Sequence, residues 1–327
     1  IEGVKSFLTA ALLHDLGHFP FAHSLKELPL KSHEALGYEG ILSEPLASVI
    51  KKEIGCDPER VGKIIDEQRN AEGDEEVLYF RRLLSGVLDP DKLDYLNRDA
   101  YFCGVPYGVQ DTEYVFQKIH PHSSRGLALE SEGITALENI LFSKYLMYRT
   151  VYWHRVVRTA TAMIKQPLTM AMLEGTLKPE ELYWLDDEQF FTRFSTDSHP
   201  SYTLISRVAS RELFKTAGEE PLDDKLHREL LTLEGRLTKS EQIASRLSGA
   251  CKRSVQPREI IIDIPEHISF EIELPIADGD EALDFSNSGS VFSPPVVEGF
   301  ASSLRKIRIF APADLVPKIQ SKENILI

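Results

Sequence analysis

Residues 11–23, Ala-Leu-Leu-His-Asp-Leu-Gly-His-Phe-Pro-Phe-Ala-His, set the tightest limit on what this chain can become. An apolar segment, Val4 to Leu13, runs into an adjacent imidazole and carboxylate, His14 and Asp15, and His18 follows one helical turn later. Continued as a helix, the segment puts His14 and His18 on one face, because residues four apart are neighbours there. Asp15 falls on the adjacent edge, and Ala10 to Leu13 are expected to be buried. A lone His-Asp pair is commonly just a hydrogen-bonded pair. Several ionisable groups at the end of a buried helix, however, are costly to desolvate without a compensating cation. The pattern therefore predicts a divalent metal, for which imidazole and carboxylate are suitable ligands.

A second constellation lies at Leu88-Asp-Pro-Asp-Lys-Leu-Asp-Tyr-Leu-Asn-Arg-Asp99. Pro90 suits a first helical position and Asp89 an N-cap. Asp91, Tyr95 and Asp99 then form one stripe, and Asp94 with Arg98 an i,i+4 pair. Alternating charge usually marks a solvated face, but Leu93, Leu96 and Tyr101-Phe-Cys103 predict a helix that is largely packed. A third segment, Leu141 to Arg158, reads as one helix with Lys144, Tyr148, Tyr152 and Arg155 on a face and His154 and Arg158 beside it. Tyr145 and Trp153 read as packing residues.

These blocks, together with Lys31-Ser-His33-Glu34-Ala, resemble the signature of the HD-domain phosphohydrolase superfamily. They most resemble its deoxynucleoside triphosphate triphosphohydrolase branch, which includes dGTPase-like enzymes. The match covers four blocks in order: His14-Asp15, the Ser-His-Glu element, the D-x-D-K-x-D-Y-x-x-R-D helix, and Tyr152-Trp-His-Arg155 against Y-x-H-K/R. The resemblance implies a mainly α fold, an HD-domain helical core with a smaller α+β C-terminal region. It implies metal ligation by His14, Asp15 and Asp91, with Mn²⁺ or Mg²⁺ expected and Fe, Ni or Zn as alternatives. Such a metal would polarise the α-phosphoryl group and acidify water. Asp15 would also orient the attacking water. His18, and His33 oriented by Glu34, would act near the phosphoester oxygen, where an imidazole can donate a proton. Lys92 would contact phosphate, and Tyr95, Asp99 and Tyr152 would line the sugar pocket. Apart from the resemblance, Lys144 and Tyr148 share a helix face that reads as a small basic pocket for substrate, and His23 is a further substrate-binding candidate. Tyr152 would exclude a 2′-hydroxyl. The implied reaction turns a dNTP into deoxynucleoside and inorganic triphosphate.

Two departures accompany the resemblance. The family's first metal ligand is a His roughly forty residues before the His-Asp pair, whereas His14 is preceded by thirteen residues that open without Met. The expectation is that the natural N-terminus is absent from this sequence. Lys26 also stands where some relatives carry an acid. Two alternatives follow: another HD phosphohydrolase (a nucleotidase or phosphodiesterase), or a non-catalytic nucleotide-sensing HD protein. The His-Asp-Leu-Gly-His run argues against alarmone hydrolases, which carry His-Asp-x-x-Glu-Asp.

Composition bounds the remaining classes. A formal net charge of −14 argues against a broad basic face for nucleic acid. Cys56, Cys103 and Cys251 show no paired spacing, which suits a reducing compartment. No apolar run approaches the roughly 20 residues that span a bilayer, so a cytoplasmic location is expected. The organisation reads as a catalytic core over 1–165, a helical extension over 166–250 that includes Leu226 to Leu247, and a small region over 251–327. Asn70 to Glu76 reads as a loop. Glu259–Pro265, Ser269–Pro275 and Leu304–Phe310 read as strands. Ala277 to Pro295 reads as a loop whose Asp-Gly-Asp fits no calcium pattern. The basic residues Lys252, Arg253, Arg258, Arg305, Lys306 and Arg308 could mark an allosteric nucleotide site, an oligomer contact in a dimer or tetramer, or a charge-protected edge strand.

Overall fold

The computed structural model describes residues 2–122, 126–197, 199–251, 253–270, 272–278 and 281–321. The fold is mainly helical with small sheets, and the helices begin where side chains cap them. Asp89 accepts the Lys92 amide at 2.6 Å and Pro90 opens the Pro90–Cys103 helix. Gly104 ends it in the left-handed conformation at φ 65°, and the Val105 amide reaches back to the Ala100 carbonyl. Asp57 and Ser32 cap the Pro58–Ile65 and His33–Ile41 helices in the same way. Among the described residues no helix is long and apolar enough to cross a membrane.

The chain divides into two compact units, each assembled from separated stretches. The first comprises Ile1–His18, Lys31–Tyr148 and Ser269–Phe300. One of its cores gathers Ala10, Ile41, Ile50, Val61, Ile64, Val77 and Phe80 from successive helices. Phe7 stacks on Phe80 at 4.9 Å between ring centroids. A four-stranded sheet of order β1-β2-β5-β6 completes the unit, from β1 (Ile119–His122), β2 (Gly126–Glu130), β5 (Pro275–Asp278) and β6 (Glu281–Asp284). The parallel pairing of β2 with β5 sets Leu129 opposite Ile276.

The second unit comprises Phe19–Leu30, Arg149–Ile268 and Ala301–Ile327. Its sheet has the order β3-β7-β4, all antiparallel, from β3 (Lys215–Pro221), β4 (Ile261–Asp263) and β7 (Lys306–Ala311). Ile243, Ala244 and Leu247 of the Leu233–Ala250 helix share a core with Ile262, Ile307 and Ile309. The Arg155–Leu173 helix brings buried cations to this sheet. Arg158 grips Asp263 with two hydrogen bonds, at 2.9 and 2.5 Å. Lys165 and Arg236 share Glu27, at 2.5 and 2.7 Å.

Several sequence expectations are revised. The first helix ends at Leu13, so His14, Asp15 and Gly17 lie in the following turn and His14 and His18 share no helix face. Leu12 is 80% exposed rather than buried. The Leu141–Arg158 segment is not one helix: Ile134–Met147 passes into a π-turn, Tyr148–Tyr152, and His154 caps a new helix from Arg155. The expected strand at Ser269–Pro275 begins only at Pro275; position 271 lies outside the described residues. The expected loop Ala277–Pro295 contains β6 and the 3₁₀ turn Phe285–Asn287. There antiparallel pairing with β5 supplies the backbone partners that turn-rich composition hides. Its Gly279 and Asp280 lie outside the described residues, as does Lys252. β7 is the central strand of its sheet, not an edge. Lys306 and Arg308 both pair with Glu219, Arg305 with Asp224, and Arg253 with Glu259 and Asp314.

The Arg158–Asp263 pair generates a stability prediction. Burial pushes the Asp263 carboxyl up, but the Arg158 guanidinium outweighs this and holds it below the usual range; Glu27 is likewise lowered by Lys165 and Arg236 against its burial. A carboxyl depressed on folding stabilises fully above its unfolded pKa, and that contribution is lost as pH falls through the folded value. Asp263→Ala should lower stability by about 3–5 kcal/mol at neutral pH, because it strands a buried guanidinium. Denaturant titrations from pH 7 to pH 3 should show the variant losing less stability to acid than the unaltered chain.

Candidate metal centre

His14 sits immediately after the first helix, and its Nδ1 lies 2.9 Å from the Ala11 carbonyl oxygen. A carbonyl only accepts, so this contact puts the ring proton on Nδ1 and leaves a lone pair on Nε2. That Nε2 is buried and has no hydrogen-bond partner. It lies 3.2 Å from Asp15 Oδ1 and 3.9 Å from Asp91 Oδ1. The shorter separation is not a directed hydrogen bond, and in the neutral ring the Nε2 lone pair faces carboxylate oxygens. One imidazole nitrogen and two carboxylate oxygens, all within 4.8 Å of one another, turn electron pairs toward a shared space. A divalent cation suits that donor set, and the carbonyl contact to Nδ1 is the outer hydrogen bond that metal-bound histidines use.

The carboxylates differ. Burial pushes the Asp91 carboxyl up, toward its neutral form. Asp15 is held down, first by its hydrogen bond to His18. His18 Nδ1 lies 3.2 Å from Asp15 Oδ1. Burial opposes protonation of His18, but the hydrogen bond and charge of Asp15 outweigh it and raise the imidazole's pKa.

His33 opens the His33–Ile41 helix, and its ring stacks on His18 with centroids 4.0 Å apart. Glu34 Oε1 stands 3.2 Å from His33 Nε2. Gly17 makes this approach possible. A Cβ there would fall 2.0 Å from the His33 carbonyl oxygen and 2.4 Å from the Gly37 nitrogen. A cavity of about 370 Å³ adjoins the centre, lined by His14, His33, Glu34, Asp66, Arg81 and Ser85 among others. Arg81 braces its wall by donating to the carbonyls of Lys63, Asp66, Glu67 and Arg69.

The first unit thus brings together His14, Asp15, His18, His33, Glu34 and Asp91. Tyr95 and Asp99 follow Asp91 on one stripe of the Pro90–Cys103 helix, and Arg98 pairs with Asp94 as the spacing predicted. Lys92 Nζ contacts Asp89 Oδ2 and the Gly86 carbonyl, each at 3.1 Å. Lys144 is buried, with its Nζ 2.9 Å from the Ser269 carbonyl. Tyr148 closes this stretch of the first unit, whereas His23 and Tyr152 belong to the second. Sequence reasoning missed Arg81 and Ser269. The first bonds only backbone, and the second meets its lysine 125 residues away.

Comparison with known proteins matches this architecture. Residues 4–98 match the HD domain family, and residues 111–324 match the HD associated region. An uncharacterized protein of Methanocaldococcus jannaschii is 34% identical over 211 residues, covering 63% of this chain and 42% of that protein. A Dictyostelium discoideum protein described as a deoxynucleoside triphosphate triphosphohydrolase SAMHD1 homolog is 24% identical over 229 residues, covering 64% and 43%. The chain spans about half the length of the curated relatives it matches. The crystal structure of a hypothetical protein from Aquifex aeolicus shares the fold, with a TM-score of 0.70 at 23% identity over 97% of this chain and 79% of that one. With an HD domain at its start and the HD associated region over most of the remainder, the chain belongs to the HD-domain phosphohydrolase superfamily.

Proposed function

We propose that this chain carries the hydrolytic centre of a metal-dependent dNTP triphosphohydrolase. The observation that carries the reading is the buried, unpartnered Nε2 of His14 facing two carboxylates, with a stacked histidine pair alongside. Support for the substrate class comes from the four sequence blocks and from the named activity of the Dictyostelium relative.

His14, Asp15 and Asp91 would hold the metal. A bound divalent ion supplies a Lewis acid for phosphoryl oxygens and acidifies water. Asp15 orients the attacking water toward the α-phosphorus. Water's oxygen bonds to that phosphorus as the bond to the sugar oxygen breaks, and the leaving oxygen takes a proton. His18 and His33 are the donors for that proton. The Asp15 contact favours the protonated form of His18, and Glu34 is placed to orient His33. Lys92 and Lys144 would receive the triphosphate, and Tyr95, Asp99 and Tyr148 the deoxynucleoside. The products are deoxynucleoside and inorganic triphosphate.

Each dNTP, incubated with the chain and Mn²⁺ or Mg²⁺, should yield triphosphate rather than pyrophosphate or orthophosphate when products are separated chromatographically. Asp91→Ala should abolish that release. The absence of turnover with any dNTP, singly or mixed, would overturn the proposal. His14→Ala should lower manganese retained after dialysis at least tenfold, as measured by elemental analysis. His33→Ala should retain metal but slow triphosphate release about 10²–10⁴-fold.

A further inference from the structure

The second unit holds a thiol against an amine. Lys318 Nζ donates to Cys251 Sγ at 3.0 Å. Both side chains stand on fixed backbone. Cys251 ends the Leu233–Ala250 helix, its amide donating to the Leu247 carbonyl at 2.8 Å, and its side chain packs against the core that holds Leu247, Leu315 and Ile319. Lys318 lies in the short Val316–Gln320 helix, which Leu315 and Ile319 anchor in that same core. Beside the contact, Arg253 pairs with Asp314 at 3.0 Å, a second tie between the two segments. Cys251 is partly exposed, so a small oxidant can reach its sulfur. Of the other cysteines, Cys56 is buried beside the Thr9 hydroxyl and Cys103 is exposed.

A cysteine oxidised by peroxide becomes a sulfenic acid, which is electrophilic at sulfur and condenses with a neighbouring nucleophile, a second thiol or a nitrogen. Here the side chain already in contact with the sulfur is a primary amine. Its flexible four-carbon stem lets the nitrogen close the remaining distance without moving the backbone.

We propose that Cys251 and Lys318 are a modification site: hydrogen peroxide joins them through a sulfenamide bond that braces the second unit. In the first step the Cys251 sulfur attacks one peroxide oxygen. The O–O bond breaks, and the departing hydroxide takes the thiol proton and leaves as water. Sulfur loses two electrons and the peroxide gains them. In the second step Lys318 Nζ, having released one proton to solvent, attacks the sulfur of the sulfenic acid. The S–O bond breaks as the S–N bond forms, and the hydroxide leaves as water with a second proton from the nitrogen. The new bond closes a loop between residues 67 apart in sequence, which restricts the unfolded chain as a disulfide does.

The test is peptide mapping by mass spectrometry after the full chain is treated with hydrogen peroxide, the dose being raised until the exposed Cys103 is oxidised. A peptide joining Cys251 to Lys318, about 2 Da lighter than the sum of its parts, should appear and should separate on adding dithiothreitol. Lys318→Arg keeps the positive charge but cannot lose a proton to become a nucleophile. It should give no joined peptide, and its Cys251 should go on to sulfinic acid. The joined chain should melt about 5 °C or more above the reduced chain, a rise that peroxide should not produce in Lys318→Arg. Circular dichroism identifies a variant that fails to fold, and Lys318→Gln stands in if Lys318→Arg does. Cys251 recovered unjoined from the unaltered chain, as thiol or as sulfinic acid, overturns the proposal, as does a cross-link at Cys251 that survives Lys318→Arg. A joined chain that melts no higher than the reduced one overturns the bracing role.

Discussion

The contact between the His14 ring and the Ala11 carbonyl decides what the rest of the centre can be. A free imidazole can place its proton on either nitrogen, but the end of the first helix presents a carbonyl that only accepts. Nδ1 therefore carries a proton, and in the neutral ring Nε2 turns its lone pair toward Asp15 and Asp91. The helix terminus satisfies one of its own orphan carbonyls and, in doing so, orients the His14 ring toward the two carboxylates. Asp15 extends the logic outward, since it also contacts His18, which stacks on His33. The geometry of His14 and Asp15 and the placement of the His18 ring are therefore set by one turn of backbone, and His33 stacks on that ring from the next helix.

The second unit follows a different principle. Its interior contains Arg158, Lys165 and Arg236, each bonded to a carboxylate. Such pairs add little net stability over an apolar packing, yet breaking one is severe. Their geometric demands fix the register of the Arg155–Leu173 helix against β4, because Asp263 must meet the fork of Arg158. This is a specificity device more than a source of stability.

The parts legible in the sequence were those written in local chemistry. Asp89 and Pro90 announce their helix because capping depends on three consecutive residues. The Ile-rich runs of β4 and β7 are legible because β-branched side chains fit a buried pleat. His14 and Asp15 were legible as candidate ligands by residue type, but their placement in a turn was not. Helical periodicity continues past Leu13, and only the packing of Gly17 against the His33–Ile41 helix shows that the chain has already turned. β1, with His-Pro-His, and β3, with Ala-Gly-Glu-Glu-Pro, lack strand-like alternation and owe their form to distant partners. The π-turn after Met147 is silent for a similar reason, since one extra residue per turn leaves no mark on composition.

The interleaving of the two units has a consequence for how the chain is made. β2 exposes an edge from the moment residue 130 is synthesised, and its parallel partner at Ile276 arrives almost 150 residues later. At about 5–20 residues per second, a ribosome leaves that edge without this neighbour for several seconds or longer. The elements that position His14, His33 and Asp91 can gather early, but their unit closes only after most of the second unit has emerged. Neither unit can be excised as one contiguous fragment, and a truncation between residues 148 and 269 removes material from both. The unit that carries the centre is therefore complete only once the stretch after residue 268 has emerged.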